Sequence, residues 1–512
     1  MKRKKQSLVA DPSEASLGNG EQLEETGEFR NDVDESDAEV VTGGGRGFSE
    51  SQVADRLVRE CGDDFRFLTD REIVFAFKNG LWLKDGSLQG HDTPHELFRC
   101  ARRLCLRVYE EISAPASLKS PLRGAKFPDD VARIAAREIH HLAFNCFDQN
   151  PDLLGLPHGR VAELKTGVIR SATALDYVSK STTVSPDPAQ KPTRFLEFLS
   201  EISRHDHEWV EYILRCLGYF VTGHMTERYL GFWTGVTSNG KSILCDLLVS
   251  ILGDYAATTS VKSLAAGSTE NSEQEMRLFG RLCGARAVFA SESSATLKID
   301  IGLAKKLASK EKLTGRFLRE NAFEFTPTFK TVISAQELMF EKVDAAIQAR
   351  LQVCKFPQVF AQPKDMHRFS GALPADLKLD AKLERERAGI LALILDYAHR
   401  WYADGGGLNA PGVIVKATDA YFADVDDFGS WLDTRCAREK DAFTLGNMLF
   451  ADYTRTAGEM GIEPMKRDAF AKKIIASGFK ADRRRLAGSP SVGGYVGLRL
   501  RERDEDGDNS DE

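Results

Sequence analysis

One octapeptide constrains this chain more than any other feature. Gly235, Val236, Thr237, Ser238, Asn239, Gly240, Lys241 and Ser242 satisfy the pattern GxxxxGK[ST], which an unrelated chain of this length matches by chance at roughly the per cent level. An apolar run, YLGFW, precedes it, and ILCDLLVSIL, with the apolar periodicity of a helix, follows. A strand, a glycine-containing turn and a helix in that order build a phosphate cradle. The glycines let backbone N–H groups close around anionic oxygens, and the helix N-terminus adds the positive end of its dipole. Lys241 is expected to reach the β/γ oxygens and Ser242 to ligate Mg²⁺, so ATP and Mg²⁺ are the expected cofactors. The bland alternative is a glycine-rich turn before a core helix.

The surrounding residues extend that reading. Short apolar runs at 229–233, 287–290, 330–334 and 352–356 alternate with helical patterns, as in an α/β nucleotide-binding sheet. Hydrolysis needs a carboxylate at the end of a strand neighbouring the loop strand, to complete the metal shell and polarise water. Glu292, after RAVFAS, is the candidate for both, with a surface glutamate as the alternative. Gln336 ends the next strand, where its amide could donate to a γ-phosphate or orient water, or merely cap the strand. Arg350, at the end of VDAAIQARL, is placed to act as an arginine finger on a neighbouring subunit's phosphate, or to form a structural ion pair.

The other 500 or so residues bound the class. At 512 residues the chain should hold two to four domains at about 100–200 residues each. No apolar run reaches membrane-spanning length, and the basic N-terminus lacks the apolar stretch of a secretory signal, so a cytoplasmic protein with no membrane partner is expected. Nine scattered cysteines without a CxxC pair argue against a disulfide framework or a zinc ribbon. The net charge of -7 is uneven: residues 11–39 carry -10, residues 502–512 carry -6 and residues 1–10 carry +4, leaving +5 for the body. A mildly basic body between acidic tails is compatible with a nucleic-acid partner.

The segment 65–88 alternates aromatic and polar residues and breaks at Asn79-Gly80 and Asp85-Gly86, which signals a β-hairpin. Helical patterns follow at 94–112, 129–145, 193–199 and 208–222, the last with Trp209, Ile213, Leu217 and Phe220 as a packing stripe. GRVAELKTGVIR, at 159–170, reads as a second hairpin. A helix around 381–402 leads to a glycine-rich linker at 405–407, and 428–500 gives three helical patterns and then a strand pair.

With these residues assembled, the chain resembles the phage and plasmid primase-helicase family, whose motor belongs to helicase superfamily three and which includes poxvirus primase-helicases. The resemblance is carried by TERYLGFWTGVTSNGKS, ARAVFASE, KKLASKEKLTGRFLRENAFEFTP and DAAIQARL, with FAFKNGLWLKDG, GRVAELKTG and CLGYFVTG as collar-like pieces. It implies an α/β fold: a P-loop AAA+-like ATPase core with an N-terminal helical collar-like domain and a C-terminal winged helix. The implied domains are a disordered acidic tail (1–48), the collar-like α+β domain (49–200), the ATPase (201–365), a helical connector (366–427), the winged helix (428–500) and an acidic tail (501–512).

The resemblance assigns Lys306, Arg316 and Arg319 as DNA or phosphate contacts facing the channel of a ring, and Arg350 as the finger. It places Tyr421, Phe428 and Trp431 at or before the start of the winged helix, with Lys466, Arg467, Lys472, Lys473 and Arg483 to Arg485 on backbone phosphates. Three positions depart from the family pattern: Gln336 where Asn is usual, Ser291 where many P-loop enzymes have a metal-linked Asp, and Ala-Ser-Lys-Glu after Leu307.

The expected function is therefore that of a ring-forming motor: an ATP-dependent replicative DNA helicase acting as a homo-hexamer on single-stranded and forked DNA beside a separate primase or polymerase. With only about sixty residues before the collar-like region, a primase domain of ordinary size is not expected there. Two other classes stay open: an ATP-binding replication initiator or DNA-binding scaffold with little unwinding, and a P-loop kinase for a small molecule.

Overall fold

A computed structural model describes residues 49–88, 93–142, 146–264, 272–291, 298–318, 320–340, 344–425, 427–459, 464–485 and 491–501. The two acidic tails, residues 1–48 and 502–512, lie outside the described residues. The protein is a mixed α/β chain with several sheets.

The N-terminal sheet runs Leu81–Ser87, Ile73–Lys78, Phe65–Leu68, His141–Leu142 in spatial order and packs on helices Glu50–Cys61, His95–Glu111 and Lys126–Ala136. Its tight turn is Asn79-Gly80, with φ of 48° and 77°, the left-handed pair that a two-residue hairpin requires. Asp85-Gly86, expected as a second break, lies inside a strand. There Asp85 is the extra residue of a bulge, and its carboxylate accepts from Glu96 N (2.8 Å) and Leu97 N (3.1 Å) at the start of the next helix. The expected helix at 129–145 ends at Ala136, and a short strand, His141–Leu142, joins the sheet instead. The second expected hairpin is present as Arg160–Glu163 and Val168–Ser171, with Leu153–Leu156 as a third strand.

Helices α1 (Thr193–Ile202) and α2 (His207–Phe220) then lead into the central sheet. Trp209, Ile213, Leu217 and Phe220 are all buried, so the stripe is packing. The sheet has five parallel strands: β1 (Leu230–Thr234), β2 (Ala256–Ser260), β3 (Ala287–Ser291), β4 (Lys330–Ala335) and β5 (Leu351–Lys355), in the order β5-β1-β4-β3-β2. Continuous apolar runs suit strands covered on both faces. The edge strand β2, AATTS, carries no such run and is absent from the sequence reading. Helix α3 (Lys241–Leu252) follows β1, α4 (Ser272–Leu282) precedes β3 and α5 (Ile301–Leu307) follows it.

Two buried cations fix the sheet's lower edge, where the strands begin. Arg286, just before β3, donates to the carbonyls of Val221 (2.5 Å), Leu153 (2.5 Å) and Asn150 (3.3 Å). Lys330, first in β4, donates to those of Thr222 (2.5 Å), Thr328 (3.3 Å) and His224 (3.4 Å). Val221 and Thr222 close α2, so both charges sit at the negative end of its dipole. Tyr255 and Tyr219 lie 4.8 and 4.6 Å from them. Burial pushes the pKa of both groups down.

Helix α6 (Arg387–Ala403) packs on α2, and the single helix expected around 381–402 is two, with Leu379–Arg385 in front of it. Helix α7 (Gly412–Val425) packs on β5. Tyr421, expected near the start of the C-terminal module, belongs here: its ring lies 5.6 Å from Phe232 and its hydroxyl donates to Leu338 O at 2.7 Å. The C-terminal unit runs Asp427–Arg435, Cys436–Leu445, Gly446–Glu459, Arg467–Ala476, Lys480–Arg484, Val492–Leu500, three helices and three antiparallel strands on a core of Phe428, Trp431, Tyr453 and Phe470. Its first strand, CAREKDAFTL, is half charged or polar, with four charged residues in a row, and was not expected.

Lys330→Ala would leave three carbonyls without their donor in a dry site. We expect it to lower the unfolding free energy by about 3 kcal/mol, read as a fall in the urea midpoint. An unchanged midpoint would show that the lower edge does not depend on this ammonium.

Candidate phosphate-binding site

The octapeptide stands where a parallel sheet offers a ligand site, at the carboxyl end of a central strand. β1 ends at Thr234 and α3 begins at Lys241. Gly235 (φ 148°) and Gly240 (φ 88°) have backbone angles that L side chains rarely adopt. A Cβ on Gly240 would meet Phe198 and Ile202 at 2.9 and 2.8 Å, and one on Gly235 would meet Phe356 O at 2.6 Å. The close approach of α1 and of the chain after β5 therefore demands glycine at both positions. Ser238 adopts φ 60° without being glycine, a strain typical of ligand-holding turns.

Lys241 is folded into this turn. Its ammonium donates to Gly235 O (2.6 Å), Asn239 Oδ1 (2.9 Å) and Val236 O (3.2 Å). Asn239 is buried and donates in turn to Phe356 O at 3.3 Å. Burial lowers the Lys241 pKa to about 8. Its neighbours are carbonyls rather than apolar groups, so an anion can exchange for them. Val236, Thr237, Ser238 and Ser242 are exposed.

The remaining expected residues fall in four places. Gln336 follows β4, in the strand next to β1, and its carbonyl accepts from Thr234 Oγ1 at 2.8 Å, which sets it beside the turn. Glu292 lies outside the described residues. Its strand, β3, is not the neighbour of the loop strand that was expected, because β4 intervenes; Ser291 is exposed and in register with Ser334. Arg350 stands at the opposite edge: Leu351 pairs with Leu230, the first residue of β1, and the Arg350 guanidinium donates to Ala346 O at 2.6 Å.

Lys306 and Arg316, expected to contact DNA, are engaged by acids of α4. Lys306 pairs with Glu275, and Arg316 pairs with Glu273 at 3.2 Å. Arg319 lies outside the described residues. The hairpin Leu313–Arg316/Ala322–Phe325 is held from the N-terminal sheet by Arg71, which pairs with Glu320 at 2.8 Å and lies 4.9 and 5.0 Å from the rings of Phe317 and Phe323. Nothing in the sequence around Arg71 marked that contact, which joins segments some 250 positions apart. In the C-terminal unit Lys466, Arg467, Lys472, Lys473, Arg483, Arg484 and Arg485 are all exposed, along the third helix and the strand after it.

A large cavity opens beside the turn. It measures about 1040 Å³ and is bounded by Ser238, Gly240 and Ile243 on one side and by residues of the segment after β5 on the other. Among the described residues no cluster of His, Cys, Asp and Glu suits a metal ion, no helix is long and apolar enough to cross a membrane, and all nine cysteines are free.

Comparison with known proteins adds the lineage. The D5 N terminal like family matches residues 54–204. The chain is 27% identical over 297 residues to "Putative helicase L207/L206" of Acanthamoeba polyphaga mimivirus, covering 56% of this chain and 30% of that protein. It is 28% identical over 192 residues to "Putative helicase V13" of Sputnik virophage, covering 36% and 24%. Against "Putative helicase 022R" of Frog virus 3 it is 23% identical over 418 residues, covering 78% and 40%. The chain thus spans less than half the length of these relatives. An apo structure of the NrS-1 C terminal region aligns at TM-score 0.47 and 11% identity, covering 88% of this chain and 100% of that one.

The three viral relatives share the description of a helicase, and their likeness to this chain is at low identity and over part of their length. Over residues 54–204 the chain is similar to the D5 N terminal like family, and beyond that segment its likeness is to the viral proteins named above.

The enclosure of Lys241 has a measurable consequence without any ligand. Its pKa of about 8 lies below the ordinary 10.5, so between those values the unfolded chain binds more protons and stability rises with pH. The melting temperature of the wild type minus that of Lys241→Met should therefore climb from pH 7.5 to 10. A flat difference would mean that the ammonium is not enclosed.

Proposed function

We propose that the chain is an ATP-hydrolysing DNA helicase of superfamily three that works as a ring, with ATP between adjacent copies. The observation that carries this reading is the placement of GxxxxGKS between β1 and α3, at the carboxyl edge of a parallel sheet ordered β5-β1-β4-β3-β2. That order, with the loop after a central strand and two strands of polar termini beyond it, is the one a P-loop AAA+-like ATPase core requires.

In this reading the 235–242 turn wraps the phosphates, and Lys241 leaves its carbonyl partners to neutralise β/γ oxygens. The Ser242 hydroxyl, exposed at the start of α3, and Glu292, just past β3, hold Mg²⁺. Glu292 also polarises the attacking water, and Gln336 orients it or the γ-phosphate. Mg²⁺ supplies charge neutralisation at the oxygens in transfer. Arg350 of the adjacent copy reaches the γ-phosphate.

The 313–325 hairpin, with Lys306, Arg316 and Arg319, contacts single-stranded DNA in the channel. The C-terminal unit is a winged helix: its order of helix, strand, two helices and two strands supports that, and Lys466, Arg467, Lys472, Lys473 and Arg483 to Arg485 lie on backbone phosphates. DNA, further copies of the chain and a separate primase or polymerase are the partners.

One observation favours a second reading, an ATP-binding initiator or scaffold with little unwinding. Lys306 and Arg316 are already paired with Glu275 and Glu273, so DNA must compete for them. ATPase assays with and without single-stranded DNA decide: strong stimulation supports the helicase, binding without turnover the scaffold, and DNA-indifferent phosphoryl transfer a kinase.

Lys241→Ala is expected to abolish hydrolysis while circular dichroism stays unchanged; undiminished turnover would remove the site assignment. Arg350→Ala should bind nucleotide but not turn it over. Mixed with the Lys241→Ala chain, it should regain part of its activity, because mixed interfaces pair an intact turn with an intact arginine. Absence of any regain would count against a shared site.

A further inference from the structure

The cavity beside the turn is built by a segment that no expected site residue belongs to. After β5 the chain forms a flap over residues 357–378, in which Phe360–Ala361 pairs with Leu373–Pro374. The buried Gln358 side chain pins it, donating to Val359 O (2.8 Å) and Gly371 O (2.9 Å). The flap is tied directly to the phosphate turn: Phe360 N donates to Ser238 O at 2.7 Å. Between them lies the space of about 1040 Å³.

The direction of the turn decides what that space is for. The ammonium of Lys241, which marks the β/γ end of a bound triphosphate, lies against the carbonyls of Gly235 and Val236. The cavity opens on the other part of the turn, against Ser238, Gly240 and Ile243. A triphosphate lying along the turn therefore directs its ester end into the cavity.

The lining suits a flat, largely uncharged group. Phe198, Ile243, Phe360, Phe369, Leu373 and Leu379 supply an apolar surface, and Phe369 is 43% exposed. Three of the acids that line it have cations beside them: Glu201 has Arg194 (2.9 Å), Asp376 has Lys382 (2.7 Å) and Asp365 has Arg368 (3.4 Å). Those ion pairs weaken the negative field that a nucleotide would meet at the rim.

We propose that this cavity receives the ribose and base of the nucleoside triphosphate, with Phe369 stacking on the base. The inference rests on the reading of the 235–242 turn as a triphosphate site. It makes the flap the element that distinguishes a nucleotide from a bare polyphosphate, and the Phe360–Ser238 hydrogen bond the link between base occupancy and the shape of the turn.

Calorimetric titration of the full chain with Mg-ATP and with Mg-tripolyphosphate, which has the charges but no base, tests it. The wild type should bind ATP more tightly than tripolyphosphate, and Phe369→Ala should weaken ATP by about ten-fold, the scale of base–aromatic stacking. Tripolyphosphate affinity should stay unchanged in that variant, and Phe369→Tyr should restore ATP binding. If Phe369→Ala binds ATP as the wild type does while both chains bind tripolyphosphate, the inference falls and the turn's assignment survives. If the wild type binds neither ligand, the assignment of the turn falls, and the inference with it.

Discussion

Two positive charges, buried with no carboxylate partner among the described residues, determine where the sheet begins. Arg286 and Lys330 are held by backbone carbonyls at the end of α2 and in the loop before Leu153–Leu156. Each such bond repays part of a desolvation cost that would otherwise be prohibitive, and together they leave β3 and β4 one starting register. Ala287 faces Lys330 across the pair, and Ser291 faces Ser334. Because strands of this kind advance a fixed distance per residue, anchoring the lower ends also sets the upper ends. Ala335, the last residue of β4, is therefore set level with Thr234 at the start of the phosphate turn, and Ser291 with Ser334, by contacts at the opposite edge.

The parts of this architecture that were legible in the sequence are those whose physics is local. The strand, turn and helix around Lys241 follow from an apolar run, glycines at two of the three positions of positive φ and an apolar helical repeat. Three further strands follow from short apolar runs. What was not legible depends on partners distant in sequence. β2 is a half-buried edge strand of small and polar residues, and Cys436–Leu445 is paired through its backbone while half of its side chains are polar, four of them charged and consecutive.

The interposition of β4 between β1 and β3 is a matter of crossover order, which no single segment encodes. Asp85-Gly86 read as a turn because those residues favour turns, whereas the carboxylate serves the N-terminus of a helix eleven residues on. Tyr421, expected at or before the start of the C-terminal module, lies before it, and what its sequence did not announce is that its ring packs on Phe232 of the central sheet. At the site itself, the turn and Gln336 are brought together, while the flap and Arg71 carried no pattern to announce them.

The unliganded turn is self-satisfied. Lys241 occupies the space with three hydrogen bonds, Asn239 bridges it to the chain after β5, and Ser238 holds the flap. An anion entering must replace the carbonyls as partners of the ammonium, and in doing so raises the pKa that burial has depressed. The same economy governs the hairpin. Arg316 and Lys306 have acids of α4 as partners, and Arg71 holds the tip through Glu320 and two phenyl rings. Polyanion binding there is an exchange of ion pairs rather than the occupation of open charge, so it should be more sensitive to what moves α4 than a bare basic patch would be.

The position of Arg350 limits the ways it can take part in chemistry. It precedes Leu351, which is level with the first residue of β1, while the phosphate turn follows the last, Thr234. Five residues of strand separate the two levels, and at ~3.3 Å per residue that is a separation of roughly 13–16 Å. Its guanidinium also points back to Ala346 O, within the turn before β5. Within one chain the sheet itself stands between the arginine and the phosphates. Any contact between Arg350 and a triphosphate in the turn must therefore be made between two copies, and a catalytic role for this residue and an assembled ring are a single claim.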